Sequence, residues 1–184
     1  RILVGGYFTE FDGASHKGLV QLNTDGSVDG GFAIGTGFSL PVEAGSDAQV
    51  FSLLLQPDGK ALVGGYFQLL DGEAIQGVAR LNIDGSTDAS FDTGTGFRGV
   101  IYTLSLEQNG KYIVAGTFTD VDHIGVGNIA RIEPDGSVDV SFNPGTGFYI
   151  YSSSIYDFGT DVSSLAMEDD GSFYASGMFH GYNG

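Results

Sequence analysis

Apolar residues recur at every second position in short runs along this chain. Leu53 and Leu55, Leu104 and Leu106, and Leu165 and Met167 are the clearest cases, and this period predicts half-buried β-strands. Asp58-Gly59, Asn109-Gly110 and Asp170-Gly171 each stand between two such runs, the strongest short-range signal for a hairpin. Asp25-Gly26, Asp84-Gly85 and Asp135-Gly136 predict a second set of hairpins with type I′ turns. No segment carries an apolar period near 3.6 residues over a helical length, so the chain is expected to be all-β.

These elements repeat. Ile2-Leu3-Val4-Gly5-Gly6-Tyr7-Phe8 returns as Ala61-Leu62-Val63-Gly64-Gly65-Tyr66-Phe67. It returns again as Tyr112-Ile113-Val114-Ala115-Gly116-Thr117-Phe118, and finally as Phe173-Tyr174-Ala175-Ser176-Gly177-Met178-Phe179. Each of the first three copies continues to an Asp-Gly-Ser turn, then Asp-x-x-Phe (Asp29/Phe32, Asp88/Phe91, Asp139/Phe142), then Gly-Thr-Gly-Phe at 35–38, 94–97 and 145–148. Equivalent phenylalanines are 59, 51 and 61 residues apart. The middle unit is therefore the bare repeat of about 51 residues, and the others carry insertions of about eight and ten directly after Gly-Thr-Gly-Phe. The expected organisation is one segment, 1–184, with units 1–59, 60–110 and 111–171 and a partial unit 172–184.

Four short antiparallel strands per unit at this period suit the blades of a β-propeller. A β-solenoid is the competing architecture, but its coil is much shorter and tight hairpins do not suit it. The Gly-Gly pairs fit a place where another backbone comes close, as near a propeller axis. Three units and a fragment are too few for a ring of 4–8 blades. The chain is thus expected to be an incomplete propeller segment of a longer protein, cut through repeat elements at both ends.

Composition narrows the function. The chain has 184 residues, of which 41% are hydrophobic, enough for a core. Its 31 glycines without a Gly-X-Y period fit many tight turns and exclude collagen. Seven basic against 23 acidic residues leave a net charge of −16, which disfavours nucleic acid and anionic membrane surfaces as partners. No stretch is apolar enough for a membrane-crossing helix. There is no cysteine, hence no disulfide, thiolate site or thiol nucleophile.

Together these motifs resemble the delta-60 repeat family of β-propellers. The likeness covers the whole chain apart from the two insertions. Departures are Gly30-Gly31 before Phe32 and Glu133-Pro134 in the third turn. The resemblance implies a propeller fold on exported bacterial surface proteins or tailed-phage virion proteins, and it implies no catalytic residues.

Candidate sites divide into repeated and unrepeated features. Asn23, Asp25 and Asp29, with Asn82, Asp84 and Asp88, place oxygen ligands at alternate positions like the start of a calcium loop. The glycine at six and glutamate at twelve are missing, and the competing reading is a local Asp-Gly turn. Glu10, Asp12 and Gly13 share a loop position with Asp71-Gly72 and Asp122-His123, and His123 is expected at positive φ. His16, His123 and His180 share no motif. Arg80 and Arg131, with Gln21 as their counterpart, are expected to pair with Asp88 and Asp139 or to lie on a polar face. No Gly-x-Ser-x-Gly, HExxH or phosphate-binding loop is present, so no enzyme and no cofactor are expected.

The insertions 39–49 and 149–161 break the repeat. Both leave from the same point of their unit and should emerge on one propeller face. The first contributes Glu43 and Asp47. The second contributes Tyr149, Tyr151, Tyr156 and Phe158 among serines, the chemistry of a recognition surface for a protein or glycan. The competing reading is that both loops pack on neighbouring blades or on other subunits of an assembly. The expected role is adhesion or receptor binding on a virion or cell surface, outside the cell. The alternatives are a structural spacer and, last, a carbohydrate-active enzyme.

Overall fold

The computed structural model describes residues 1–41, 47–149 and 160–182. Among them every regular element is a β-strand. The chain forms two compact units, Arg1–Ala89 and Ser90–Gly184.

The first unit holds β1 (Ile2–Gly5), β2 (Glu10–Phe11), β3 (Ala14–Ser15), β4 (Leu19–Leu22), β5 (Phe38–Ser39), β6 (Gln49–Leu55), β7 (Ala61–Tyr66), β8 (Leu69–Leu70), β9 (Glu73–Ala74) and β10 (Val78–Leu81). Its main sheet runs β10-β7-β6, all antiparallel, with Val63 opposite both Ala79 and Leu53. A fourth strand is reduced to one bridge, Leu81 to Thr87. The preceding repeat supplies β1-β4 with the equivalent bridge from Leu22 to Val28. Sheets therefore run across the sequence period, since the alternating run at the end of one repeat pairs with the glycine-bearing strand of the next.

The second unit holds β11 (Ile101–Leu106), β12 (Tyr112–Gly116), β13 (Asp120–Val121), β14 (Ile124–Gly125), β15 (Ile129–Ile132), β16 (Phe148–Tyr149), β17 (Asp161–Met167), β18 (Phe173–Met178) and β19 (Gly181–Tyr182). β11-β12-β15 repeats the first unit's main sheet, with the bridge from Ile132 to Val138, and β17-β18 begins another.

Central strands are buried over their whole length. Leu62 and Val63 in β7, and Ile113, Val114 and Ala115 in β12, are closed from solvent, so these segments read as continuous apolar runs. The outer strands follow the expected alternation only in part: β17 alternates from Ser164 to Met167, whereas β10 is buried throughout. Leu55, expected inward, is 70% exposed, at the end of β6 before the hairpin turn.

The close approach expected at the glycine pairs is made within the sheet. A Cβ on Gly65 would collide with the Gln49 carbonyl, one on Gly116 with Val100, and one on Gly177 with Asp161. Each of those carbonyls adjoins a register shift in the neighbouring strand, at Val50/Ser52, Ile101/Thr103 and Val162/Ser164. The bulge pushes backbone across the sheet, and only a residue without Cβ fits beneath it.

Consecutive repeats are locked by aromatic pairs. Phe38 meets Phe67 with centroids 4.5 Å apart, Phe97 meets Phe118 at 4.9 Å, and Phe148 meets Phe179 at 4.6 Å. Gly-Thr-Gly-Phe thus delivers its phenylalanine to the core of the next repeat, where such pairs add to the area they bury.

Candidate functional site

The repeated acidic residues have local partners. Asp25 Oδ1 accepts from the Ser27 hydroxyl (2.7 Å) and the Ser27 N–H (3.0 Å), while Asn23 Nδ2 donates to Ser27 Oγ (3.0 Å). Asn82, Asp84 and Ser86 repeat the arrangement. The Ser27 hydroxyl, then its N–H, holds the Asp25 carboxyl below the usual carboxylate range, and Ser86 does the same for Asp84. Asp29 is engaged elsewhere, accepting from Gly31 N–H (2.9 Å) and Gln21 Nε2 (2.9 Å). Among the described residues no three His, Asp or Glu side chains converge as a metal-ligand set.

The expected type I′ turn is not at these Asp-Gly pairs. Gly26 alone carries positive φ (88°), in a three-residue loop closed by Asn23 N–H to Ser27 O (2.8 Å). A single left-handed glycine ending a type I turn explains this loop. The paired positive φ values fall instead at Asp12-Gly13 (51° and 73°), Asp71-Gly72 (50° and 81°) and Asp122-His123 (46° and 63°). His123 thus occupies the expected backbone state. In two of these turns the aspartate reaches back to the preceding repeat. Asp71 accepts from Thr36 N–H (2.8 Å) and Asp122 from Thr95 N–H (3.0 Å), both in Gly-Thr-Gly-Phe.

Asp88 and Asp139 sit in ion clusters. Asp88 Oδ2 holds Arg80 Nε at 2.6 Å and Lys60 Nζ at 2.7 Å. Asp139 Oδ2 holds Arg131 Nε at 2.7 Å and Lys111 Nζ at 2.8 Å. The pairing expected for both arginines is present. Lys111, then Ser141 and Arg131, hold the Asp139 carboxyl far below the usual range. These clusters serve the fold, because they stand at equivalent positions of two successive repeats.

The unrepeated features lie around the first insertion. After pairing with β8 through Ser39, the chain leaves the sheet and returns at Asp47, Ala48 and β6. Between these stems and the loop after β1 lies a cleft of about 400 Å³. Tyr7, Thr9, Lys17, Ser39, Pro41 and Asp47 are among the residues that line it. The Tyr7 hydroxyl donates to Asp47 Oδ2 (3.3 Å), and the tyrosine is 64% exposed. Gly37 packs closely against the Lys17 backbone and Cβ.

Asp47, named from the sequence, is therefore part of this site. Glu43, in the same loop, lies outside the described residues, as do Tyr151, Tyr156 and Phe158. Tyr149 is described: it is half-buried in β16, pairs with Gly181 and accepts from the His180 N–H (2.8 Å). At the return stem, Asn128 Nδ2 donates to the Thr160 carbonyl (3.2 Å). Tyr7 and Lys17 were not singled out in the sequence. Lys17 carried the signal of a departure from the repeat, its place being taken by Gln76 and Gly127, whereas Tyr7 recurs as Tyr66 and carried none.

A β-propeller family described as a domain of unknown function (DUF5122) matches residues 1–32, 56–91 and 107–142, more than half of the chain. No curated protein and no solved structure matches it.

Proposed function

Since the chain belongs to the DUF5122 β-propeller family, we propose that it is a non-catalytic recognition module, a delta-60-type propeller that binds a surface protein or glycan outside the cell. A tailed-phage virion is the favoured setting and an exported bacterial surface protein the alternative. One observation carries this reading: the stems of the insertion, Ser39 to Pro41 and Asp47 with Ala48, line a cleft together with the exposed Tyr7 and with Lys17, which the other repeats replace by Gln76 and Gly127. Insertions on a rigid scaffold are where repeat proteins place their contacts.

The repeated carboxylates support a non-catalytic role, because Asp25, Asp84, Asp88 and Asp139 are taken up by hydrogen bonds and ion pairs that recur at equivalent repeat positions. Net charge supports partners other than nucleic acid.

The test replaces residues 39–49 of the intact protein with the three-residue Arg98-Gly99-Val100 connector of the bare repeat. The variant should keep its far-ultraviolet circular dichroism and lose attachment to target cells. Attachment retained in a folded variant would remove this site. An assembly structure with the loop buried against another subunit would favour the spacer reading instead.

A further inference from the structure

The cleft's chemistry narrows its ligand, on the premise that it is a recognition site. Of the seven Lys and Arg side chains, Arg1, Lys60, Arg80, Arg98, Lys111 and Arg131 each face a carboxylate within 4 Å. Lys17 is the exception among the described residues, and it lines the cleft. On a chain with 23 acidic residues, an ammonium with no carboxylate partner among the described residues is available to an anion from outside.

The same charge restricts what that anion can be. A polyanion would meet the net −16 of the chain, whereas a ligand with one acidic group feels mainly its nearest neighbour. Screening over a Debye length of about 8 Å removes most of the remainder. Tyr7 supplies the other half of the recognition. Its ring is exposed while its hydroxyl is tethered to Asp47, so an apolar face is held open at little cost in conformational freedom. Such a face suits the C–H surface of a pyranose ring. Asp47, Thr9 and Ser39 line the cleft with acceptors and hydroxyls for ring hydroxyl groups. The volume of about 400 Å³ falls in the range of small-ligand sites.

We infer that this cleft binds an acidic saccharide unit, with its ring on Tyr7, its carboxylate on Lys17 and its hydroxyls toward Asp47.

A glycan array probed with the intact protein, followed by titration with methyl glucuronide and methyl glucoside, tests this. Carboxylate-bearing glycans should bind about tenfold or more above their neutral parents, the scale of one charge-assisted hydrogen bond. Lys17→Gln should erase that difference, and Tyr7→Ala should abolish binding of both classes. Raising salt from about 50 to about 500 mM should weaken only the acidic ligands. Equal binding of neutral and acidic glycans, unaltered by Lys17→Gln, overturns the inference and leaves the recognition reading standing. No saccharide binding, while replacement of 39–49 still abolishes cell attachment, means the site takes another ligand class. Attachment that survives replacement of 39–49 overturns both.

Discussion

The connectors after Phe38 and Phe97 start from the same motif and reach the same kind of strand, yet they differ in length, eleven residues against three. After Phe97 the chain stays on the next repeat. Arg98 N–H donates to Asp120 O (3.1 Å), Val100 N–H to Thr117 Oγ1 (3.2 Å), and Gly99 lies against the Phe118 backbone. After Phe38 the first hydrogen bonds are equivalent: Gln68 N–H donates to Ser39 O (3.1 Å), as Thr119 N–H does to Arg98 O (3.4 Å). The chain then departs and leaves a cleft. The anchoring phenylalanine and the receiving strand therefore belong to the fold, whereas the short connector lies against its neighbour and the stems of the long one line an open cleft.

The most damaging substitution should ignore this difference. Phe67→Ala and Phe118→Ala both empty a buried ring from an aromatic pair, and each should cost about 3–5 kcal/mol in urea unfolding. A cost under about 1 kcal/mol for Phe67→Ala alone would show that the insertion-bearing seam is held by something other than its phenylalanines.

Next in size are changes confined to the sealed connector. Gly99 has φ of 146°, and a Cβ there would stand 2.5 Å from the Phe118 Cα. Gly99→Ala should therefore destabilise by about 1–3 kcal/mol. Asp47→Ala in the open connector should stay within about 0.5 kcal/mol, because this residue is exposed and its hydrogen bond is long. Thermal unfolding of the two variants compares them directly.

Acid stability extends the contrast to the ion clusters. Asp139 is bound by Lys111 and Arg131, whereas Asp29, in the repeat that bears the cleft, has Gln21 in place of the arginine and Arg1 at 3.6 Å. Both carboxyls are lowered on folding, Asp139 chiefly by Lys111 and Asp29 chiefly by the Gly31 N–H. The unfolded chain then binds protons more readily, so this stability is complete above pH about 4 and is lost as the pH falls further. Asp139→Asn should flatten the acid limb of a stability–pH curve more than Asp29→Asn does.

The smallest effect on stability should come from the cleft itself. Tyr7→Ala and Lys17→Gln should each leave the unfolding midpoint almost unchanged, within about 0.5 kcal/mol. A larger loss would mean that these side chains support the seam.

Much of the fold was legible because the repeat states each element three times. Alternation at Leu104 and Leu106 marked β11, and the Gly-Thr-Gly-Phe anchors were visible as structural motifs. Turn type was not legible, because Asp-Gly suits both a type I′ turn and a type I turn ending in a left-handed glycine. Hydrogen bonding across the repeat, such as Asp71 to Thr36, separates the two. The candidate site was half legible. Insertion 39–49 announced itself by length, and Asp47 with it. Tyr7 and Lys17 lie outside the insertion; Tyr7 recurs as Tyr66, and a single-position departure such as Lys17 is common on exposed surfaces.

The sequence by itself determined an all-β repeat, its hairpins, and the places where the regular pattern is interrupted, because these depend on periodicity and local turn chemistry. Tertiary structure decided which strands share a sheet, and that the bulged carbonyls of Gln49 and Val100 are what require glycine at 65 and 116. It also brought Tyr7, Lys17 and Asp47, far apart in the chain, around one cleft. Those outcomes depend on distances between segments that no local pattern encodes.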